Sequence, residues 1–175
     1  MRIVAGTARG RKLVVPDGSA TRPTTDRVRE ATFNALFSLD VIDDATYVDL
    51  FAGSGALGLE ALSRGAAHVT FIERDRAALA ALRKNIDTLG FTDESTVIAT
   101  DSMRWIATAG HFDVVIADPP YDFDAWELLQ TTADATVLVA ESNAPIVVVE
   151  PWGLLRERTY GSTVVTIISG PDFGS

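Results

Sequence analysis

The sequence predicts a doubly wound α/β fold built on a mostly parallel β-sheet. After residue 44 the chain alternates between short segments rich in β-branched residues and longer segments with helical periodicity. The run at residues 114–117 is apolar at every position, as in a strand that is buried on both faces of a parallel sheet. Gly65 and Gly90 follow two of the helical segments, where helix C-caps are expected. Together these patterns indicate a sheet with helices on both sides.

The elements follow in order along the chain. The first 24 residues predict two short strands around a glycine-rich turn, and a helix is predicted from Thr25, a candidate N-cap. The predicted strands of the alternating region are 46–51, 68–73, 96–100, 112–118 and 146–150, and the predicted helices are 56–64, 75–89, 102–108 and 124–140. Residues 158–169 predict a hairpin around Gly161 and Ser162, which would insert an antiparallel strand at the sheet edge. We therefore predict a single domain over residues 1–175, with an extension at 1–24 and an α/β core at 25–175.

The composition excludes several classes of protein. The 175 residues are 47% hydrophobic and 22% charged, which suits one globular domain. No apolar run approaches the roughly 18 to 20 residues of a membrane span, and no signal-type apolar stretch follows Met1, so we expect a cytoplasmic protein. The absence of cysteine excludes disulfides, thiolate metal sites and a cysteine nucleophile, and we predict no metal site.

The charge is distributed unevenly along the chain. The net charge is −9, but residues 1–30 carry seven positive and three negative side chains, so this segment is at +4 and the remainder at −13. A basic arm on an acidic body suits a protein that meets phosphate with one face only. A solvated, arginine-rich surface segment explains the charges equally well.

A glycine-rich loop follows the first strand of the alternating region. Gly53, Gly55 and Gly58 have the spacing G-x-G-x-x-G, and such a loop lies at the carboxyl ends of the strands, where a doubly wound sheet binds ligands. Glu73, at the end of the next strand, is placed to accept hydrogen bonds from ribose hydroxyls, and Asp101, after the third strand, to accept an adenine amino group. Either carboxylate could instead be the N-cap of the helix that follows it.

Asp49 distinguishes between two cofactors that contain adenosine, NAD and S-adenosylmethionine. A carboxylate just before the loop suits the ammonium group of S-adenosylmethionine, whereas it would repel a pyrophosphate. The sequence therefore favours S-adenosylmethionine. The predicted cofactor-binding residues of this region are Asp49, Phe51, Gly53, Gly55, Gly58, Glu73, Asp101, Ser102 and Met103.

A rigid turn ends the fourth strand and is expected to face the same crevice. It consists of Asp118, Pro119, Pro120 and Tyr121. The prolines fix the turn and lack N–H groups, so a carbonyl and the Asp118 carboxylate are available to accept from an amino group, while the aromatic ring stacks on a planar group. We predict that these four residues are catalytic and position an exocyclic amino nitrogen for methylation. A rigid turn with an aspartate cap is the structural alternative.

Two other chemistries are not expected. Methylation at C5 of a pyrimidine usually requires a cysteine, which the chain lacks. His68 and His111 have no partnered serine or carboxylate motif, so the sequence does not predict a hydrolytic triad.

Two groups of motifs carry a resemblance to known families. Residues 49–55 and 118–121 resemble the class I methyltransferase fold, a Rossmann-like seven-stranded fold, in its amino-methylating branch. That branch includes DNA adenine, RNA guanine and release-factor glutamine methyltransferases. The segments 2–6, 10–13, 21–30, 33–34 and 52–66 resemble the bacterial family that methylates N2 of a guanine in 16S ribosomal RNA. The similarity covers about residues 1–125.

This resemblance implies an enzyme that uses S-adenosyl-L-methionine and acts, as a monomer, on 16S ribosomal RNA or the assembling small subunit. It implies that Arg22 and Thr24 lie over the cofactor and that the target guanine leaves its helix to reach Tyr121. In the family the fifth strand commonly ends in an acidic pair with serine, whereas residues 150–152 read Glu-Pro-Trp. The predicted RNA-binding residues are Arg2, Arg9, Arg11, Lys12, Arg27 and Arg29.

Three other interpretations remain open at this point. The first is methylation of DNA adenine N6 or of protein glutamine, although glutamine methyltransferases usually carry Asn in place of Asp118 and the chain has no room for a DNA-recognition domain. The second is a nicotinamide-dependent oxidoreductase that uses the same glycine loop. The third is an RNA-binding assembly factor without catalytic activity.

Overall fold

A seven-stranded sheet organises the chain. The structure, a computed structural model, describes residues 1–16 and 25–174. Its helices are α1 (Asp26–Ser38), α2 (Ala56–Ser63), α3 (Arg76–Leu89), α4 (Ser102–Ile106) and α5 (Trp126–Thr132). Its strands are β1 (Thr46–Asp49), β2 (His68–Glu73), β3 (Ser95–Ala99), β4 (Phe112–Ala117), β5 (Ala135–Ser142), β6 (Gly153–Tyr160) and β7 (Thr163–Ser169). The order β3-β2-β1-β4-β5-β7-β6, with β1 to β5 parallel, confirms the predicted doubly wound, Rossmann-like class.

The strand order reverses next to β1. From β1 the chain winds outward through β2 to β3 and then crosses back to β4 on the other side of β1. In doubly wound sheets, ligands bind beyond the carboxyl ends of the strands at such a reversal. The crevice for a ligand is therefore expected between the carboxyl ends of β1 and β4.

Apolar layers cover both faces of the sheet. Successive residues of β1 point to opposite faces, so that Tyr47 belongs to one apolar cluster and Val48 to the other, and both are fully buried. This burial on both faces explains why the central strands read as continuous apolar runs.

The predicted helix 124–140 is wrong in its second half, because the fifth strand begins there. α5 ends at Thr132, Ala133 already has an extended backbone with φ −71° and ψ 133°, and β5 follows. Residues 137–140 are completely buried, with β4 on one side and β7 on the other. A short run that is buried on all sides lacks the periodicity that distinguishes a strand from a helix.

The predicted strand 146–150 is wrong as well, since these residues run outside the sheet. Gln130 of α5 fixes them: its side-chain oxygen accepts from the Val149 N–H at 3.0 Å, and its Nε2 donates to the Val147 carbonyl at 2.9 Å. The fifth strand therefore ends in Glu141 and Ser142. The fifth strand thus ends in one acidic residue followed by serine, and Glu-Pro-Trp lies outside it.

The C-terminal hairpin is confirmed. β6 and β7 are joined by a turn at Gly161, whose φ is 62°, and Ser162. β7 pairs antiparallel with both β5 and β6, so the second strand of the hairpin is inserted into the sheet. β6 begins at Gly153, earlier than the predicted start at residue 158.

The N-terminal arm, residues 1–16, does not form the predicted pair of strands. Residues 1–3 and 10–13 are joined by three backbone hydrogen bonds, which form a single antiparallel bridge between Arg2 and Lys12 and not two regular strands. The intervening backbone instead bonds to the end of α2: the Thr7 N–H donates to the Ser63 carbonyl at 2.7 Å, and the Ala8 N–H to the Ser63 hydroxyl at 2.9 Å. Gly6, with φ 79°, lies so close to α2 that a Cβ atom would stand 1.7 Å from the Ser63 carbonyl oxygen.

The helix ends follow the predicted capping chemistry. Thr25 is the N-cap of α1, since its hydroxyl accepts from the Val28 N–H at 3.2 Å. Gly90 is the C-cap of α3 with φ 78°, and Gly65, with φ 116°, follows the C-cap Arg64 of α2. Among residues 1–16 and 25–174, no helix has the length and apolar character needed to cross a membrane.

Candidate cofactor and catalytic site

The carboxyl ends of β1 and β4 lie side by side. The register pairs Asp49 with Ile116, and the Leu50 N–H donates to the Ile116 carbonyl at 3.0 Å. Two segments therefore leave the sheet at one edge: the glycine loop, residues 50–55, and the acceptor turn, residues 118–121. The structure brings together the two motifs that the sequence analysis singled out.

The glycine loop has a backbone that favours glycine at two positions. Gly53 has φ 55° and Gly55 has φ 88°, both in the left-handed region. Gly55 directly precedes α2 and offers no side-chain cap. The first N–H groups of α2 thus lie next to the loop. N–H groups at a helix N-terminus can donate hydrogen bonds to a ligand.

Gly58 has a different place from the other two glycines, because it lies within α2 and faces β2. A Cβ atom at this position would stand 2.3 Å from Cε1 of Phe71 and 2.8 Å from Cγ1 of Val69. The missing side chain lets α2 lie directly on β2. The structure thus places Gly58 in helix–strand packing, behind the loop that was expected to hold the cofactor.

Gly58→Ala is expected to lower the free energy of unfolding by about 1–3 kcal/mol, because the added methyl group overpacks the contact with Phe71. Chemical denaturation measures this change. Gly110→Ala is the matched control, since a Cβ there meets no atom within 4 Å, and it should change stability by less than about 0.5 kcal/mol. Equal effects of the two substitutions would contradict the packing role.

Asp49 lies at the bottom of the crevice and is 1% exposed. Its Oδ2 accepts from the Gly58 N–H at 3.0 Å, while its buried Oδ1 has no hydrogen-bond partner among the described residues. Burial raises the pKa of Asp49 to about 7; the bond from Gly58 opposes the rise, and the charges of Asp118 and Glu73 add to it. A buried acceptor oxygen that lacks a donor fits the ammonium group of S-adenosylmethionine.

Binding of S-adenosylhomocysteine, which has the same ammonium group, is expected to weaken as the pH falls through 7. The ligand prefers the ionised carboxylate, and the pKa of Asp49 at about 7 means that the neutral form accumulates below that pH. Because folding raises this pKa, the folded protein binds more protons than the unfolded chain between about pH 7 and pH 4. The contribution of Asp49 to the stability of the free protein therefore increases as the pH falls through this range. Weaker binding in this range is therefore not acid unfolding through Asp49.

Calorimetric titrations at about pH 6, 7 and 8 measure this dependence. Asp49→Asn should bind weakly at each pH and show a flatter profile. An affinity of the wild-type protein that does not change over this range would contradict the role of Asp49.

Glu73 holds the glycine loop from the end of β2. Its Oε2 accepts from the Gly53 N–H at 2.8 Å, and its Oε1 accepts from the N–H groups of Arg74 and Asp75, both at 2.8 Å. The N-cap alternative is wrong for Glu73, since Asp75 caps α3 by accepting from the Ala78 N–H. A carboxylate oxygen accepts up to two hydrogen bonds, so Oε2 has the capacity to bind a ribose hydroxyl as well.

Asp101 is an N-cap, as the structural alternative stated. Its Oδ1 accepts from the Arg104 N–H at 3.0 Å, and its Oδ2 lies 3.2 Å from Nη1 of Arg74. Its side chain is 47% exposed, so it faces solvent beside the crevice. The next two residues attach α4 to the glycine loop: the buried Ser102 hydroxyl donates to the Leu50 carbonyl, and Met103 packs on the apolar cluster that contains Leu50.

The acceptor turn is closed by its own backbone. The Phe123 N–H donates to the Pro120 carbonyl at 3.0 Å. Asp118 and Pro119 are half-buried, whereas Tyr121 is 56% exposed. The turn thus has a half-buried carboxyl residue directly after β4 and an exposed aromatic ring beside it.

An aromatic cluster that the sequence analysis missed joins the two loops. Phe123 packs edge-on against Phe51, with ring centroids 5.3 Å apart, and against Trp126 at 4.9 Å. Phe51, a predicted cofactor-binding residue, therefore contacts the segment that follows the acceptor turn. The signal available in the sequence was the presence of two aromatic residues, Phe123 and Trp126, within five residues after the turn.

Most of the predicted RNA-binding residues lie on the exposed side of the arm and of α1. Arg9, Lys12 and Arg27 are exposed. Arg2 forms an ion pair with Asp26 at 3.1 Å, and Arg11 donates to the Thr88 carbonyl at 2.7 Å, so both are partly used in holding the arm. A cleft of about 310 Å³ lies between the arm and α1, lined by Arg2, Ile3, Val4, Arg9, Gly10, Asp26, Arg27 and Glu30.

Arg29 differs from this group, because its side chain is fully buried. It donates to the Arg2 carbonyl, forms an ion pair with Asp26 at 2.9 Å, and has its Nε 3.5 Å from Glu60. A buried side chain has no surface for RNA, so the prediction for Arg29 is corrected. Counting charges in a sequence does not separate a buried arginine from an exposed one.

Two buried polar residues that the sequence analysis did not single out attach the arm to the site. Glu60 of α2 accepts from the N–H groups of Val4 and Ala5 at 2.8 and 3.0 Å. Asn85 of α3 bonds both to Val14 and to the glycine loop. Predicted residues Arg22 and Thr24 follow the arm but lie outside the described residues.

The two histidines lie at the amino ends of their strands, away from the crevice. His68 begins β2, and its Nε2 lies 2.9 Å from the Thr96 hydroxyl. His111 precedes β4 and does have a carboxylate partner, Asp134, at 2.7 Å. That pair stands at the opposite edge of the sheet from the acceptor turn.

Comparison with known proteins finds relatives along nearly the whole chain. A family model described as conserved hypothetical protein 95 matches residues 1–169. Ribosomal RNA small subunit methyltransferase D of Escherichia coli (strain K12) is 45% identical over 172 residues, which cover 92% of this chain and 85% of that protein. The protein of the same name from Haemophilus influenzae is 39% identical over 174 residues, covering 92% and 89%.

The similarity extends to three dimensions. A solved structure from Escherichia coli, described as a methyltransferase, superposes with a TM-score of 0.85 at 41% identity and covers 97% of both chains. This match includes the arm, the parallel sheet and the C-terminal hairpin.

Proposed function

Because the chain belongs to the family of ribosomal RNA small subunit methyltransferase D, we propose that it methylates the exocyclic N2 of a guanine in 16S ribosomal RNA. It is a methyltransferase that uses S-adenosyl-L-methionine. The observation that carries the proposal is the meeting of the glycine loop and the acceptor turn at the adjacent ends of β1 and β4. This geometry supports the proposal that the methyl donor and the acceptor amino group share one crevice.

The cofactor site is assigned to residues on three neighbouring strands. Asp49 would hold the ammonium group, and Glu73 would accept from the ribose hydroxyls. Asp101, beside α4, would accept the adenine amino group while it continues to cap the helix. Bound S-adenosylmethionine supplies a methyl group on a sulfonium, an electrophile that needs no metal ion.

The acceptor turn supplies positioning. The N2 amino group of guanine is a poor nucleophile because its lone pair is delocalised into the ring. When the Asp118 carboxylate and the Pro119 carbonyl each accept one N–H, the lone pair is directed at the methyl carbon. As the new N–C bond forms and the S–C bond breaks, the surplus proton on the nitrogen passes to Asp118 or to water.

Substrate recognition is assigned to exposed groups around the crevice. Tyr121, at 56% exposure, is placed to stack on the extruded guanine. Arg2, Arg9, Arg11, Lys12 and Arg27 present positive charge for the RNA backbone, while Arg29 is left out because it is buried. The segment with Arg22 and Thr24 is proposed to cover the cofactor.

The test is transfer of an isotope-labelled methyl group to purified RNA and particles. We expect N2-methylguanosine in 16S ribosomal RNA, located by mass spectrometry of nuclease fragments, with naked RNA and small subunits from cells that lack the enzyme compared as acceptors. Label found only in DNA adenine or in protein glutamine would refute the substrate assignment. The same mapping identifies the nucleotide.

We further propose that the chain works as a single methyltransferase domain and as a monomer in the cytoplasm, where small subunits are assembled. Light scattering of the purified protein with and without RNA tests the monomer, with a mass near 18.7 kDa expected for the free protein.

A further inference from the structure

Asn85 of α3 joins three parts of the molecule that are far apart in sequence. Its side chain is 2% exposed. Its Oδ1 accepts from the Val14 N–H at 2.8 Å, and its Nδ2 donates to the carbonyls of Val14 and Ser54, both at 2.9 Å. The arm and the glycine loop thus meet on one amide group.

The pattern of these bonds requires an amide at position 85. One acceptor oxygen faces an N–H, and two donor hydrogens face two carbonyls, which is the full complement of a primary amide apart from one lone pair. Aspartate would place an oxygen against two carbonyl oxygens, and a hydroxyl has a single hydrogen to donate. The Asn85 amide bonds to both the N–H and the carbonyl of Val14, as the backbone of a neighbouring strand would.

Ser54 is the residue whose orientation matters most to the loop. It stands between Gly53 and Gly55, which both have positive φ and adopt several backbone conformations at low cost. The Gly53 N–H is fixed by Glu73, and the Gly55 N–H by the Ala52 carbonyl at 2.7 Å. The bond from Asn85 fixes the Ser54 carbonyl, so that both polar groups of the peptide unit between Ser54 and Gly55 are held and one orientation of that unit is selected.

The arm reaches the same place by a second contact. The Leu13 N–H donates to the Met1 carbonyl at 3.2 Å, and Sδ of Met1 lies 3.9 Å from the Ser54 hydroxyl. The arm is in turn attached to α2 through Glu60 and Ser63. The contacts that hold the arm in place are therefore connected to those that hold the shape of the loop.

We propose that Asn85 is a positioning residue that holds the glycine loop in its cofactor-binding shape and makes that shape depend on the seating of the arm. Asn85 acts through the Ser54 carbonyl and does not touch the reacting atoms. This inference rests on the cofactor assignment, which binding of S-adenosylhomocysteine to the wild-type protein tests separately.

The first measurement is the affinity for S-adenosylhomocysteine by calorimetry. Asn85→Ala is expected to weaken binding by about tenfold, since two carbonyls lose their buried donor. Asn85→Asp keeps the acceptor for the Val14 N–H but loses both donors, so its loss should be at least as large. Lys84→Ala, an exposed neighbour on α3, is the control and should bind as the wild type does.

The second measurement separates positioning from general stability. Val14→Pro removes the N–H that bonds to Asn85 and leaves the loop untouched; it is expected to weaken binding about threefold in the wild-type background and to add nothing in the Asn85→Ala background. Val15→Pro places the same ring one residue further on and should bind normally. With saturating cofactor, kcat should be unchanged in all variants, while KM for the cofactor rises only in the Asn85 variants and in Val14→Pro.

Three outcomes would overturn the proposal. The first is a lower melting temperature of Asn85→Ala with unchanged affinity, which indicates a structural role alone. The second is additive effects of Val14→Pro and Asn85→Ala, which indicates that arm and loop are independent. The third applies if the Asn85 variants do not fold, so that Val14→Pro is the remaining test. An affinity of Val14→Pro equal to that of Val15→Pro would then show that the loop does not depend on the seating of the arm.

Discussion

Asp118→Ala is expected to lower the rate of methyl transfer by about 10²- to 10⁴-fold while the affinity for S-adenosylhomocysteine stays within about threefold of the wild-type value. The carboxylate is assigned to the acceptor amino group, so its loss leaves the nitrogen without one of its two orienting acceptors. Cofactor binding depends mainly on other residues, Asp49 and the glycine loop. Single-turnover rates with small-subunit RNA, together with calorimetry, measure the two quantities separately.

Two further variants sharpen the test of Asp118. Asp118→Asn retains one acceptor oxygen and the side-chain shape but loses the charge, so an intermediate rate is expected. Asp122→Ala removes an exposed carboxylate four residues further on and should transfer methyl groups at the wild-type rate. Equal rates for Asp118→Ala and Asp122→Ala would remove Asp118 from the catalytic site.

Removal of the Asp118 charge also has a consequence for Asp49. The charge of Asp118 contributes to the raised pKa of Asp49, so Asp118→Ala should move the pH at which cofactor binding weakens to a lower value. This change in the pH profile accompanies the loss of rate only if the two carboxylates share one crevice.

Glu60→Ala is expected to lower the free energy of unfolding by about 3–5 kcal/mol. The Glu60 side chain is fully buried, accepts from Arg64 Nε at 2.8 Å, and lies 3.5 Å from Arg29 Nε. It also holds the N–H groups of Val4 and Ala5. Its removal leaves a buried guanidinium with less compensating charge and two arm N–H groups without an acceptor.

Urea unfolding, followed by the fluorescence of the three tryptophans, measures this loss. Glu60→Gln keeps an acceptor oxygen but no charge, and it should fall between the wild type and Glu60→Ala. Glu94→Ala removes an exposed carboxylate and serves as the control. A loss below about 1 kcal/mol for Glu60→Ala would mean that Glu60 contributes no more to stability than an ordinary surface residue does.

The parallel sheet was predictable because its first four strands combine apolar runs with glycine at the ends of the intervening helices. β2 matches its predicted bounds in full, and β1, β3 and β4 match within two residues at each end. The prediction of the fifth strand failed because residues 126–142 contain no glycine or proline that would mark a boundary between α5 and β5. The break is made by the backbone of Ala133, a residue that favours helix on propensity alone.

The glycine loop and the acceptor turn could be recognised in the sequence because each is contiguous. The contacts that support them could not be, because Asn85 and Glu60 bond to residues 31 to 71 positions away. In the helical pattern of the sequence each is one more polar residue, and its hydrogen bonds to the docked arm are not visible there. The burial of Arg29 is not visible there either, since its partners Arg2 and Glu60 lie on other elements.

The docking of the arm on α2 and α3 has a consequence for the order of folding. The arm comes first in the chain, yet its bonds to Glu60, Ser63 and Asn85 span 55 to 71 residues. These long-range contacts need both helices in place on the sheet, so we expect the earliest residues to be synthesised to be among the last to settle. A chain in which α2 and α3 have not yet docked therefore presents an unattached basic segment, and we expect the arm to take its final place only in molecules whose glycine loop has already formed.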